Sequence, residues 1–244
     1  FIGFGDPDFS GSGSTTAVAA TRRLRAAGRF AGNRNGDIDY GSIAPLPDTR
    51  AEIVALAAAL HADPKQDVFL GRAASRDAVL ATDLSRRRIV AFATHGLLAG
   101  EYPGVDQPAL ALANPGDGRH GLLSLDDILT LKLDADWVIL SACNTAAGDG
   151  RGGEAISGLG RGFFYSGSRA LLVTHWPVET VSARNLVVGV FSELAAAPQI
   201  PRAEALRRAM LKVMGDDGRD GNYRFAYAHP LFWAPYALVG DGGN

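Results

Sequence analysis

The only cysteine of the chain, Cys143, follows an apolar run, Trp137 to Leu140, by way of Ser141 and Ala142; a second apolar run, Ile89 to Ala93, ends in Thr94, His95 and Gly96. Both runs are bounded by charge on one side and by Gly-rich or polar sequence on the other, which is how fully buried strands of an open α/β sheet read. In such sheets the working groups sit at the carboxyl ends of the strands. A thiol at one strand end and an imidazole at a neighbouring one make a nucleophile and its base. The competing reading of Cys143 is a small core residue, since free cysteine is among the most buried residue types.

Strand geometry extends this reading. Side chains alternate, so Cys143 and Ser141 share one face and Ala142 points the other way. A peptide whose carbonyl reaches the sulfur therefore lays its P1 side chain beside Ser141. Gly96 has no side chain to block a substrate, and its backbone N–H with that of Cys143 forms an expected oxyanion hole. The helix that begins beyond Cys143 is placed to stabilise a thiolate.

The elements that must hold these groups alternate along the chain. Strands are expected at Phe1 to Gly5, Val68 to Leu70, Ile89 to Ala93, Val138 to Leu140, Ala170 to Val173 and Tyr236 to Val239, with a minor hairpin at Pro108 to Ala113. Between them the spacing predicts helices. Asp48 reads as an N-cap with Glu52 close behind, ahead of Ile53, Leu56, Ala57 and Leu60 on one face. Ser75 caps a helix through Leu84, and Ser124 caps one from Leu125 to about Leu131. Further helices are expected over Glu154 to Tyr165, Thr180 to Ala196 and Arg202 to Met214. The stretch from Asn33 to Pro47 reads as loop. This alternation predicts an α/β fold, a six-stranded mainly parallel sheet with helices on both faces.

Composition narrows the possibilities. The 244 residues, 47% of them hydrophobic, suffice for one domain over 1–244. A net charge of −2 gives no general pull toward nucleic acid or an anionic membrane. The longest apolar stretch, Leu186 to Ala197, is broken by Ser192 and Glu193 and falls short of a membrane span. The chain opens inside a strand, so a longer protein is expected to precede Phe1. A single cysteine fits a reducing cytoplasm, where a thiol stays usable.

Several segments together resemble one family. Phe92-Ala93-Thr94-His95-Gly96, Val138 through Ala146, the Gly-rich turn into Glu154 to Leu159, Trp176-Pro177-Val178 and Phe232 to Tyr236 are similar to the CHAT domain, a branch of the caspase-like cysteine peptidases that includes separase. The similarity spans essentially the whole chain. It implies a caspase-like sheet, a catalytic dyad of His95 and Cys143, and endoproteolysis of a protein or peptide substrate. Such domains are commonly attached to upstream helical repeats, so a regulatory region or partner is expected to control activity.

Two departures from related families bear on specificity. Metacaspases, which cleave after basic residues, carry an acid two positions before the cysteine, where this chain has Ser141. A separase-like acid shortly after Trp176 corresponds to Glu179, which with Ser141, His175 and Trp176 makes the expected P1 pocket for a basic residue. The competing role of Glu179 is to open the next helix with Thr180, where negative charge suits the helix dipole. His175 stands where related chains carry an apolar or small residue and crowds that pocket. Asp106 and Asp149, on loops after the two strands, are the fallback acids.

Other features carry less. Gly148, Gly150, Gly152 and Gly153 imitate a phosphate cradle and keep a nucleotide-binding α/β domain as an alternative, yet no Lys-Ser or Lys-Thr follows them. A catalytically silent scaffold on the same fold is the other alternative. His61, His120, His175 and His229 show no metal-ligand spacing, so no metal or cofactor is expected. Arg86 to Arg88 reads as a solvated lead into a strand. Trp176, Phe232 and Trp233 read as core or pocket wall rather than a base-stacking platform.

Overall fold

A run of apolar and glycine residues at the N-terminus forms β1 (Ile2–Pro7), the first strand of a computed structural model that describes residues 1–10, 38, 40–117, 119–141, 153–176, 178–220 and 223–243. The chain continues through α1 (Asp48–Ala59), α2 (Pro64–Asp67), β2 (Val68–Gly71), α3 (Arg76–Ala81) and β3 (Ile89–Ala93). Three short strands follow, β4 (Gly96–Leu97), β5 (Ala109–Ala111) and β6 (Leu122–Ser124), and then α4 (Leu125–Thr130) and β7 (Trp137–Leu140). The last third holds α5 (Gly153–Tyr165), β8 (Ala170–Thr174), α6 (Thr180–Ala196), α7 (Arg202–Gly215), the pair β9 (Asp217–Asp220) and β10 (Tyr223–Ala226), and β11 (Tyr236–Gly240).

Six strands make one sheet in the order β11-β8-β7-β3-β1-β2. β11 is antiparallel to β8 and the remaining neighbours are parallel. The period-two alternation sorts the strand side chains onto two faces. Val90, Phe92, Val138, Leu140, Leu171 and Val173 pack on one face with Val79 of α3, Ile128 of α4 and Phe163 of α5. Ala91, Ala93, Ile139 and Leu172 pack on the other with Ile53 and Leu56 of α1, Leu186 and Val190 of α6, and Ala209 and Val213 of α7. Both faces are buried, which is why these strands read as continuous apolar runs.

Local chemistry sets the helix ends. Ser75 accepts from the Ala78 N–H. Ser124 and Asp127 form a reciprocal capping box at α4, and Arg76 clamps Asp127 at 2.8 and 2.6 Å, tying α3 to α4. Asp48 is the first helical residue of α1, with Pro47 in the cap position and no side-chain cap; a proline here leaves no N–H that lacks a helical acceptor. The expected hairpin at Pro108 to Ala113 is instead the middle strand, β5, of a three-stranded sheet ordered β4-β5-β6. The periodicity gave no sign of the β9–β10 hairpin, whose strands Asp217–Asp220 and Tyr223–Ala226 are largely polar.

α1 lies close against β1 because β1 is glycine-rich. A Cβ on Gly5 would stand 2.7 Å from Ile53 Cγ1, and one on Gly3 2.9 Å from Ile53 Cγ2. The end of β1 is also pinned to the start of α1: the Asp6 N–H donates to Thr49 Oγ1 at 2.8 Å, and Arg50 donates to the Asp6 carboxylate at 2.8 Å. Asp6 takes φ 47° to make this turn, a left-handed geometry that aspartate tolerates better than most residues. The first turns of α1 are thereby fixed over the carboxyl ends of the central strands.

Candidate active site

β3 carries the imidazole out of the sheet. After Ala93, the Thr94 hydroxyl donates to the Ala111 carbonyl, and the Ala111 N–H donates to the His95 carbonyl at 2.9 Å, so the strand exit is stitched to β5. Those bonds put Gly96 opposite Leu110 as a non-hydrogen-bonded pair. In that geometry the Gly96 N–H is not used by the β4–β5 ladder.

The His95 ring has a defined partner. Its Nε2 lies 2.7 Å from the Ala44 carbonyl oxygen. A carbonyl only accepts, so Nε2 carries the proton and Nδ1 of the neutral ring is left with its lone pair. Burial pushes the His95 pKa below its ordinary value, opposed by the Ala44 hydrogen bond and the charge of Glu101. The ring is therefore neutral near pH 7 and able to take a proton. Its position is held from both sides: Phe9 lies 5.9 Å away ring to ring, and the segment bearing Ala44 is anchored by Tyr40 and Ile43, which pack with Phe9, Leu97, Val105 and Leu122. The Gly121 N–H donates to the Tyr40 hydroxyl and closes this clamp. By sequence, residues 40–47 read as part of the loop from Asn33 to Pro47. A backbone carbonyl has no side-chain signature, so Ala44 could not be singled out there.

β7 lies beside β3 with Phe92 level with Leu140, and the Ser141 N–H donates to the Phe92 carbonyl at 3.0 Å. His95 is three residues beyond Phe92 and Cys143 three beyond Leu140. Cys143 itself lies outside the described residues, as do Asp149 and most of the glycine-rich turn. Ser141 belongs to the same face as Ile139, the α1 side, and its hydroxyl donates to Glu52 Oε1. Glu52 is 5% exposed. Burial pushes its carboxyl up to about 7, with the Ser141 hydrogen bond pulling the other way.

Beside Ser141 is a cavity of about 140 Å³ whose wall includes Asp48, Glu52, Thr174, Val178 and Tyr236. Asp48 and Glu52 share a helix face at i and i+4, and Thr180 of α6 donates to Asp48 at 3.1 Å. The acids beside Ser141 thus come from α1. By sequence, Glu52 reads only as an acid close behind the start of α1, because it sits directly before Ile53 in a helix read for its apolar face. The available signal was an acid adjoining that face four residues after Asp48.

The remaining expected pocket residues are placed as follows. Both carboxylate oxygens of Glu179 are taken by the start of α6, from the Val181 N–H at 3.0 Å and the Ser182 N–H at 2.8 Å. This is the helix-opening role weighed above. His175 and Trp176 are exposed just after β8, their rings 6.4 Å apart, and the His175 N–H donates to the Pro235 carbonyl. Asp106 is exposed on the loop between β4 and β5. Among the described residues no cluster of three His, Cys, Asp or Glu is arranged to hold a metal ion, and no helix is long and apolar enough to cross a membrane.

No curated protein matches the chain. The sequence profile of the CHAT domain matches residues 2–241, nearly its whole length. With a six-stranded, mostly parallel sheet covered on both faces and an imidazole set at the carboxyl end of a central strand, the chain belongs to the CHAT domain family, within the caspase-like peptidase superfamily.

Proposed function

We propose that the chain is a cysteine endopeptidase that cleaves a protein substrate after a basic residue, with His95 and Cys143 as its dyad. The observation that carries this reading is the His95–Ala44 hydrogen bond, which puts the proton on Nε2 and the lone pair on Nδ1, the nitrogen that acts as the base. A general base must be neutral and must keep one ring nitrogen's lone pair for the proton it takes, and this tautomer meets both needs.

The steps follow from the chemistry of the dyad. Nδ1 of His95 takes the thiol proton, and the thiolate attacks the scissile carbonyl carbon. Negative charge moves onto the carbonyl oxygen, where the N–H groups of Gly96 and Cys143 stabilise it. The imidazolium, held by the Ala44 carbonyl, returns its proton to the leaving amine as the C–N bond breaks. Water, deprotonated by His95, then hydrolyses the thioester and releases the thiol. The P1 side chain extends past Ser141, and a protein or peptide is the partner. Control by an upstream helical region or a second protein fits a protease working in the cytoplasm.

The test is labelling and turnover together. The chain is exposed to iodoacetamide with a fluorogenic peptide panel varied at P1, beside Cys143→Ala and His95→Ala. Fast alkylation at Cys143 and hydrolysis that both variants abolish are expected. A thiol that alkylates only on unfolding and no hydrolysis of any peptide would sink the reading in favour of a silent scaffold.

A further inference from the structure

Glu52 is in an electrostatic position that no other described acid shares. Two carboxylates among the described residues are buried, Glu52 and Asp67. Asp67 has a counter-charge, Arg87 at 2.6 Å. Less buried acids are likewise matched, Asp6 to Arg50, Asp127 to Arg76 and Asp136 to Arg88. Among the described residues Glu52 receives one hydroxyl, from Ser141 on Oε1, and no cation. An ionised carboxylate taken out of water is costly unless it is paired, so this group is set up at an energetic disadvantage.

The cavity beside Glu52 is where a counter-charge can enter. Glu52 forms part of its wall, with Asp48 towards solvent, and the described lining includes no Lys, Arg or His. A void of roughly 150 Å³ takes a benzene ring, so the observed volume of about 140 Å³ has room for one long side chain. The apolar walls, Leu46, Val178 and Ala183, suit the methylenes of a long cationic side chain, and the polar end suits its head group. Asp48 would meet the cation at the mouth and Glu52 at depth.

We propose that Glu52 is the specificity-determining residue of this protein: the cavity between α1, α6 and the ends of β7, β8 and β11 binds an arginine or lysine side chain, which supplies the counter-charge that Glu52 does not find among the described residues. Ser141 is then the positioning residue that holds the carboxylate towards the cavity. The inference deepens the peptidase reading and rests on it for the identification of the cavity with the P1 site.

The experiment compares peptides that end in arginine and in citrulline at P1, which have nearly the same shape and differ in charge. In the parent, kcat/KM favours arginine by about tenfold or more, the discrimination that charge-assisted hydrogen bonds support. In Glu52→Gln the arginine-to-citrulline ratio collapses towards one, whereas a merely structural defect would lower both peptides alike and leave the ratio in place. Arginine preference that survives Glu52→Gln overturns the proposal. Calorimetry with agmatine and its neutral urea analogue needs no catalysis and, in the parent, no variant. Binding of agmatine alone by the parent, lost in Glu52→Gln, supports the proposal even if no peptide is cleaved, in which case the peptidase reading alone has failed. Equal binding of the two compounds, or of neither, overturns it.

Discussion

Replacing Glu52 by glutamine should change how the stability of the protein depends on pH. The Glu52 carboxyl is raised from 4.5 to about 7 by burial, while the unfolded chain keeps the ordinary value. Between about 4.5 and 7 the folded state holds a proton that the unfolded state has released, so stability falls as pH rises through that window and levels off above it. The shift of about 2.5 units, at about 1.4 kcal/mol each, corresponds to on the order of 3 kcal/mol across the full window. Between pH 5 and 8 about 2 to 3 kcal/mol of it is read, equivalent to roughly 5 to 10 °C in melting temperature for a chain of this length. The groups facing Glu52 are Asp48 from its own helix, Ser141 from the end of β7, Thr174 from β8, Thr180 from α6 and Tyr236 from β11. Asp48 is the one other carboxyl among them. Urea unfolding of the parent and Glu52→Gln across this range isolates the effect, because every other titrating group is common to both. The parent should lose stability relative to the variant as pH rises, with most of the change complete by pH 8. Parallel profiles would refute the argument, since a carboxyl that titrates normally is neither desolvated nor lacking a counter-charge.

The His95 pKa is lowered by burial, so the acid limb of a kcat/KM profile should fall below the ordinary imidazole value of about 6.5; an acid limb above it would count against the neutral, Ala44-bound ring. Glu179→Ala removes the cap of α6 and should cost about 0.5 to 2 kcal/mol in urea unfolding, while the arginine-to-citrulline ratio stays at the parent's value; a changed ratio would restore Glu179 to the pocket. Phe92→Ala should cost about 3 to 5 kcal/mol, because the ring is fully buried, stacks on Phe4 and lies tilted against Phe163; a loss under about 1 kcal/mol would mean the sheet face repacks. Gly121→Ala should destabilise and also lower activity, since its Cβ would stand 2.2 Å from the Ala113 carbonyl oxygen and disturb the Tyr40 clamp behind His95; unchanged turnover would separate that clamp from catalysis.

The sheet was legible because burial on two faces leaves a plain mark, a short apolar run ending at a polar residue. Ile89 to Ala93 and Trp137 to Leu140 were read almost to the residue, and the alternation between runs carried the parallel topology with it. Ser75 and Ser124 were legible as caps because a hydroxyl that competes with the backbone has a place at a helix start. His95 and Ser141 could be set at strand ends on the same reasoning. The sequence by itself therefore determined the layer order and the level at which an imidazole leaves the sheet. Three things needed the tertiary structure. That Ala44 accepts from His95 depends on a backbone oxygen brought across 51 residues by the packing of Tyr40 and Ile43. That the Glu179 carboxylate accepts from the first N–H groups of α6 depends on which groups point at it, a matter of a few ångströms that spacing does not encode. Glu52, read only as an acid near a helix start, becomes a buried carboxylate over Ser141 because Gly3 and Gly5 let α1 settle onto the sheet. Local pattern reports which face of an element is covered; what stands across that face is decided by how the elements meet.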